Sequence, residues 1–244
     1  MVTAAPSPMA VRPRIAVVIP TLNEAGSIGA VIRAMPRDWV DRVIVVDGRS
    51  TDATAAEAHA AGAEVVVETR PGYGRACQTG AERGASDCPI LVFLDGDGSD
   101  RPDLIPGLVA PLIRDGQDFV IGSRARGERE AGSMGAHQLL AGWLVGLALW
   151  WLYGVRYTDM CAFRAIRAEA LAGLGMRQMS YGWNLEMQML AARAGLRILE
   201  LPVAHRRRSA GASKVSGSLR GTIRAGARII ATLWTVAREP APNR

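Results

Sequence analysis

Two carboxylates one residue apart, Asp95 and Asp97, close the apolar run Ile90 to Asp95 (ILVFLD) in this 244-residue chain. With Gly96 between them, both can turn toward one hard cation such as Mg²⁺ or Mn²⁺ while leaving coordination positions free for phosphate oxygens. A lone D-x-D carries little weight, since most mark a loop or a cap. This one has company. Asn23 and Glu24 follow the run Arg14 to Pro20 (RIAVVIP), and Asp47 ends Val43 to Asp47 (VIVVD), with Asp52 just past the turn Gly48-Arg49-Ser50. The glycine-rich run Pro71-Gly72-Tyr73-Gly74-Arg75 could bring backbone N–H groups or Arg75 to a ligand, or simply turn the chain. No GxxxxGK[ST] is present, and no GxGxxG follows the first apolar run, so neither P-loop nor dinucleotide-binding chemistry is indicated.

The elements that must position these groups follow from the pattern. Arg14 to Pro20, Val43 to Asp47, Glu64 to Val67 and Ile90 to Asp95 read as short buried strands. Helices are expected over Glu24 to Met35, Asp52 to Ala61 and Gly74 to Arg83. Strands alternating with helices predict an α/β fold with a mainly parallel sheet, whose right-handed crossovers bring the strand C-terminal ends to one ligand-binding edge. The apolar content of 49% excludes disorder, and three cysteines exclude a disulfide scaffold. Cys77, Cys88 and Cys161 are too dispersed for structural zinc and point to a reducing compartment. Residues 1–13 lack the apolar core of a signal peptide, so a disordered tail on a cytoplasmic protein is expected.

The second half differs in charge and in texture. Residues 1–130 hold 14 arginines against 18 acids, a net −4; residues 131–244 hold 14 arginines and Lys214 against five acids, a net +10. Guanidinium-rich charge suits phosphate, anionic lipid or nucleic acid, and genomic base composition accounts equally well for the bulk of it. Ala136 to Val155 is almost uncharged and carries Trp143, Trp150, Trp151 and Tyr153. A membrane-spanning helix, a core helix and a helix lying in the membrane interface all fit its length, but spanning would split one domain across the bilayer. A last helix, Leu219 to Ala237, places Arg220, Arg224 and Arg228 on one face, as anionic headgroups or plain solvent would favour. The basic half is interleaved with apolar helix rather than exposed aromatic strands, which disfavours a nucleic-acid binder.

Taken together, VVIPTLNEAGSI, VIVVDGRSTDAT, GYGRACQTG, FLDGDGSDRPD and FVIGSRARG resemble a family 2 glycosyltransferase of the GT-A type. With TDMCAFRAIR, YGWNLEMQM, AGLRILELPV and RRRSAGASKVSG the chain is most similar to the polyprenyl-phosphate (dolichyl-phosphate) mannose or glucose synthases, over about residues 14 to 230. The resemblance implies a GT-A domain over residues 14–217, with a nucleotide-binding half to 130 and an acceptor half beyond it, then a basic amphipathic helix and tail over 218–244. It implies that Pro20, Asn23, Glu24 and Asp47 line the nucleoside pocket, with Asp47 taking a base N–H and Glu24 near the ribose. Asp95 and Asp97 would hold Mg²⁺ or Mn²⁺, and Ser99 stands where relatives often carry a glutamine ligand. Here the motif reads DGDGS, departing from the DAD and bulkier residue of many polyprenyl synthases. Arg124 would reach the acceptor phosphate or the sugar diphosphate, and Arg206, Arg207 and Lys214 would close over phosphates.

The implied reaction is inversion at the anomeric carbon by a single displacement, with a UDP- or GDP-linked sugar as donor. A lipid-phosphate acceptor is already anionic and requires no strong base, whereas a hydroxyl acceptor requires one, for which Asp97, Asp159 and Glu186 are candidates. Asp159 and Glu186 could equally cap or cross-link loops. The alternatives are a transferase acting on a soluble hydroxyl acceptor, with the tryptophan helix as a core or dimer element, and a sugar nucleotidyltransferase. The latter needs a basic glycine-rich loop where this chain has TLNEAGSI. Peripheral membrane contact, reversible or through a partner, and a homo-oligomer are further expectations.

Overall fold

The computed structural model describes residues 12–209 and 219–238. Lys214, most of the 1–13 segment, and the side chains of Arg220, Arg224 and Arg228 lie outside the described residues. Seven strands form one sheet in the order β3-β2-β1-β4-β6-β5-β7. They are β1 (Ile15–Thr21), β2 (Arg42–Asp47), β3 (Glu64–Val67), β4 (Ile90–Phe93), β5 (Phe119–Ser123), β6 (Arg164–Arg167) and β7 (Ile198–Pro202). All pairings are parallel except those of β6, which runs antiparallel to both β4 and β5. Every residue of β1 is buried, as a central strand covered on both faces must be. Pairing with β4 stops at Val18, so Pro20, which has no N–H to donate, falls where that flank of β1 needs none.

The helices are α1 (Ile28–Arg33), α2 (Thr54–Ala60), α3 (Tyr73–Ala85), α4 (Ile105–Arg114, entered through a 3₁₀ turn at Pro102–Leu104), α5 (Ala136–Tyr153), α6 (Ala168–Leu174), α7 (Trp183–Arg193) and α8 (Leu219–Arg238). The doubly wound first half matches the pattern read from sequence, with two boundary corrections. The first helix begins at Ile28 instead of Glu24, because Gly26 is left-handed (φ 84°) and the N–H groups of Ala25 and Gly26 are taken by Asp52 and Glu57. The strand ILVFLD ends at Phe93, since Asp95 N–H turns away to the Asp100 carboxylate at 3.1 Å. The sequence reading had no strands beyond β4; β5, β6 and β7 complete the sheet.

Helix α5 docks by a narrow seam. Gly142, Val145, Gly146 and Leu149 are buried, and Gly146 lies so close to the Tyr157 carbonyl that a Cβ would fall 1.9 Å from it. The other faces are bare: Leu140, Trp143, Leu144, Leu147, Trp150 and Trp151 are exposed, Trp151 at 81%. No described helix is long and apolar enough to cross a membrane. On α8, Thr232 and Val236 are buried while Ile230 and Trp234 are exposed, with the Arg238 guanidinium 3.5 Å above the Trp234 ring.

Candidate active site

The C-terminal ends of β1, β2 and β4 lie side by side, and the loops leaving them are laced together. Asn23, in a left-handed conformation (φ 53°), accepts Thr51 N–H at 2.8 Å and donates its own N–H to Ser50 Oγ at 2.8 Å. Asp47, buried at the end of β2, accepts from the Ser50 hydroxyl at 2.5 Å and its N–H at 3.0 Å. Ser27 Oγ donates to Gly96 O at 2.9 Å, joining the loop after β1 to the Asp95-Gly96-Asp97 turn. Pro20, Asn23, Glu24 and Asp47 thus share one edge with the acids after β4.

Asp97 is buried. Its Oδ1 accepts the Ser99 N–H at 2.9 Å and the Ser99 hydroxyl at 2.6 Å, and its Oδ2 lies 2.7 Å from an Arg208 guanidinium nitrogen. Ser99 therefore orients Asp97. Asp95 accepts from Tyr73 Oη at 3.3 Å. Burial, then the neighbouring charges of Asp100 and Asp97, push the Asp95 carboxyl up to about 7. His205 Nδ1 stands 3.7 Å from Asp100 Oδ1, buried and without a hydrogen-bond partner. The like charges of Asp100 and Asp97 around Asp95 favour a cation beside it. Among the described residues, however, no three acids, histidines or cysteines converge as a complete metal-holding group.

Arg124 and Asp159 meet beside this cluster. The guanidinium donates to both carboxylate oxygens at 2.8 Å, and Arg124 N–H adds a third bond at 2.9 Å. Burial alone would raise the Asp159 carboxyl; the hydrogen bond and charge of Arg124 outweigh it and hold it below its usual value. Glu186, at the start of α7, accepts the N–H groups of Arg177 (3.1 Å) and Gln178 (2.7 Å). The next carbonyl, of Met179, accepts Arg75 N–H at 3.1 Å. Gly74 packs so tightly on this loop that a Cβ would fall 2.2 Å from Gln178 O. Glu186 thereby supports the loop backing the Gly72-Tyr73-Gly74 turn, and that turn aims Tyr73 at Asp95.

The basic segment after β7 divides unexpectedly. Arg206 is exposed, and its N–H holds Ser99 O at 2.9 Å. Arg207 turns its guanidinium to Ala131 O at 2.5 Å and its N–H to Glu130 at 2.8 Å, away from the acids. Arg208 is the residue that reaches them, and the sequence reading passed over it, as it did Tyr73, Asp100 and His205. Asp100 could have been read from DGDGSD; nothing local separates Arg208 from the arginines beside it. A cavity of about 460 Å³ adjoins this segment, lined by Arg129, Glu130, Gly132, Ser133, Met134 and Leu139 among others, at the entry to α5.

The sequence model described as "Glycosyl transferase family 2" matches residues 16–175, which include the loops after β1, β2 and β4. The chain belongs to that family. It is a glycosyltransferase with a GT-A fold. An uncharacterized glycosyltransferase of Mycobacterium tuberculosis is 40% identical over 213 residues, covering 86% of this chain and 93% of the relative. An undecaprenyl-phosphate mannosyltransferase of Micrococcus luteus is 32% identical over 240 residues, covering 92% and 95%. Among solved structures, glucosyl-3-phosphoglycerate synthase from M. tuberculosis, in complex with Mn²⁺, UDP and glucosyl-3-phosphoglycerate, superposes with a TM-score of 0.74 at 26% identity, covering 94% of this chain and 82% of that one.

Proposed function

We propose that this glycosyltransferase moves a hexose from a nucleoside-diphosphate sugar to a polyprenyl phosphate at a membrane surface, with a divalent cation bound among the acids after β4. The observation that carries this reading is Asp97, buried at the turn after β4 and held by Ser99, with the Arg208 guanidinium lodged between it and Glu24. The donor set, hard carboxylate oxygens with Ser99 holding Asp97 in place, fits Mg²⁺ or Mn²⁺, the remainder of the coordination shell coming from water or phosphate oxygens. Such an ion supplies electrostatic stabilisation of the charge that develops on the departing nucleoside diphosphate.

The protein's own groups do the rest. Asn23, Glu24 and Asp47 shape the nucleoside side of the edge, and Asp47, tied to Ser50, offers a fixed acceptor to a base N–H. Arg124, locked by Asp159, presents a guanidinium of set orientation to the phosphate of donor or acceptor. Asp159 and Glu186 position loops, so the reading assigns neither as a base, and an anionic phosphate acceptor needs none. The lipid acceptor draws its support from the bare tryptophan face of α5, from the adjoining cavity with Arg129, and from the Micrococcus relative. A small phosphorylated acceptor is the second reading, favoured by the structural neighbour determined with phosphoglyceric acid.

The test is a panel of UDP- and GDP-sugars with a short-chain polyprenyl phosphate or a soluble phosphorylated acceptor, with Mg²⁺ or Mn²⁺ supplied and then chelated. The reading expects transfer to the polyprenyl phosphate that chelation abolishes. The Asp97→Ala variant should keep its circular dichroism and lose metal-dependent nucleotide binding, with turnover falling by at least about 10²-fold. Undiminished turnover in that variant sinks the assignment.

A further inference from the structure

Arg208 bridges two acids of the site, Glu24 and Asp97. One guanidinium nitrogen donates to both Glu24 carboxylate oxygens at 2.9 Å, and the other lies 2.7 Å from Asp97 Oδ2. The backbone delivers it there. Arg206 N–H is bonded to Ser99 O, while Ser209 N–H and Oγ both donate to Asp97 O, at 3.0 and 3.1 Å. On the other side, His205 is strapped to Glu128 and Glu130 through main-chain bonds of 2.9 Å each. With Ser99 on Oδ1 and Arg208 on Oδ2, both oxygens of Asp97 are engaged by donors. A divalent ion reaching Oδ2 meets the positive charge of this guanidinium 2.7 Å from the same oxygen.

We propose that Arg208 is a built-in counter-ion of Asp97 that competes with the divalent ion for this carboxylate. The ion then enters together with a nucleoside diphosphate, whose phosphate oxygens accept the displaced guanidinium. The inference rests on the metal reading of Asp97 but adds to it. Displacing an arginine from two carboxylates without offering it another anion leaves a poorly compensated charge, so the ion alone binds weakly. A diphosphate supplies that anion as a bidentate partner for the fork. Metal and nucleotide must therefore strengthen each other's binding by one common factor, and that factor must shrink when residue 208 carries no charge.

Mn²⁺ binding to the full chain without nucleotide, followed by the electron paramagnetic resonance of the free ion, reads the competition directly. Arg208→Gln is expected to bind Mn²⁺ about tenfold more tightly than the unaltered protein, Arg208→Lys to stay near the unaltered value, and added UDP or GDP to tighten Mn²⁺ binding far more in the unaltered protein than in Arg208→Gln. Equal or weaker binding in Arg208→Gln overturns the counter-ion, as does a Lys variant that binds as tightly as the Gln variant. Should Arg208→Gln fail to fold, the unaltered protein alone decides: Mn²⁺ affinity that does not rise with either nucleotide overturns the proposal. Mn²⁺ bound by no variant, with or without nucleotide, overturns it together with the metal reading; tight binding indifferent to residue 208 overturns the counter-ion alone.

Discussion

At the scale of single residues the site is a balance of charges held out of water. Asp95 is pushed up because burial and two neighbouring carboxylates oppose its ionisation, whereas Asp159, itself buried, is pulled down because a guanidinium meets it on both oxygens. Two aspartates in one site are thus shifted in opposite directions for reasons visible in their partners. The Arg124–Asp159 pair carries the sharper consequence. Asp159 has 5% of its side chain exposed, and Asp159→Ala would leave the half-buried Arg124 without its carboxylate. Breaking such a pair typically costs about 3–5 kcal/mol, and the Arg124 side chain, 21% exposed, recovers part of that from water. Urea unfolding of Asp159→Ala should therefore show a loss of about 2–3 kcal/mol. A double variant with Arg124→Met should recover some of it, and strictly additive losses would count against this account.

At the scale of elements, what matters is how closely backbones approach and what ties them. Helix α5 reaches the Tyr157–Asp159 segment only because Gly146 has no side chain. Gly146→Ala must push the helix off that segment, costing about 1–3 kcal/mol by overpacking, and should reduce transfer as well, since Asp159 belongs to the segment on which α5 packs. Thermal melts and donor turnover measured on the same preparation check both effects. A second tie joins β3 to α3. Glu68, just past β3, accepts from Arg70 first and from Thr79 Oγ1 at 2.6 Å, and its carboxyl is held down at about 2 against an ordinary 4.5. A carboxyl depressed on folding stabilises the protein above its unfolded value and loses that contribution as pH falls toward the folded one. Glu68→Gln should accordingly lower the Tm by a constant amount above about pH 5, the gap closing between about pH 4.5 and 2. A gap independent of pH would remove the ion-pair explanation.

At the scale of the whole molecule, acids and bases are segregated along the chain, and the tryptophan face of α5 belongs to its basic part. Bare apolar surface of this extent marks a surface that something covers. If that cover is an anionic bilayer, Trp143→Glu with Trp151→Glu should reduce cosedimentation with phosphatidylglycerol vesicles by about tenfold or more, and raised salt should weaken binding of the unaltered protein. Binding equally strong in the double variant would assign the face to another occupant, such as a second copy of the chain. The alternation of buried strands and helices, the acids at the strand ends and the uncharged tryptophan stretch were all legible in the sequence, because each is a matter of local period and residue type. The start of α1 was misplaced because bonds from Asp52 and Glu57, about thirty residues away, hold the turn before it. Likewise β5, β6 and β7 went unread: their identity as strands depends on neighbours distant in sequence, including the reversal of β6. Of three consecutive arginines, composition says only that guanidinium suits phosphate. Which of them faces Asp97 depends on the angle at which the chain after β7 crosses the β4 turn, a property of packed backbones that no residue carries by itself.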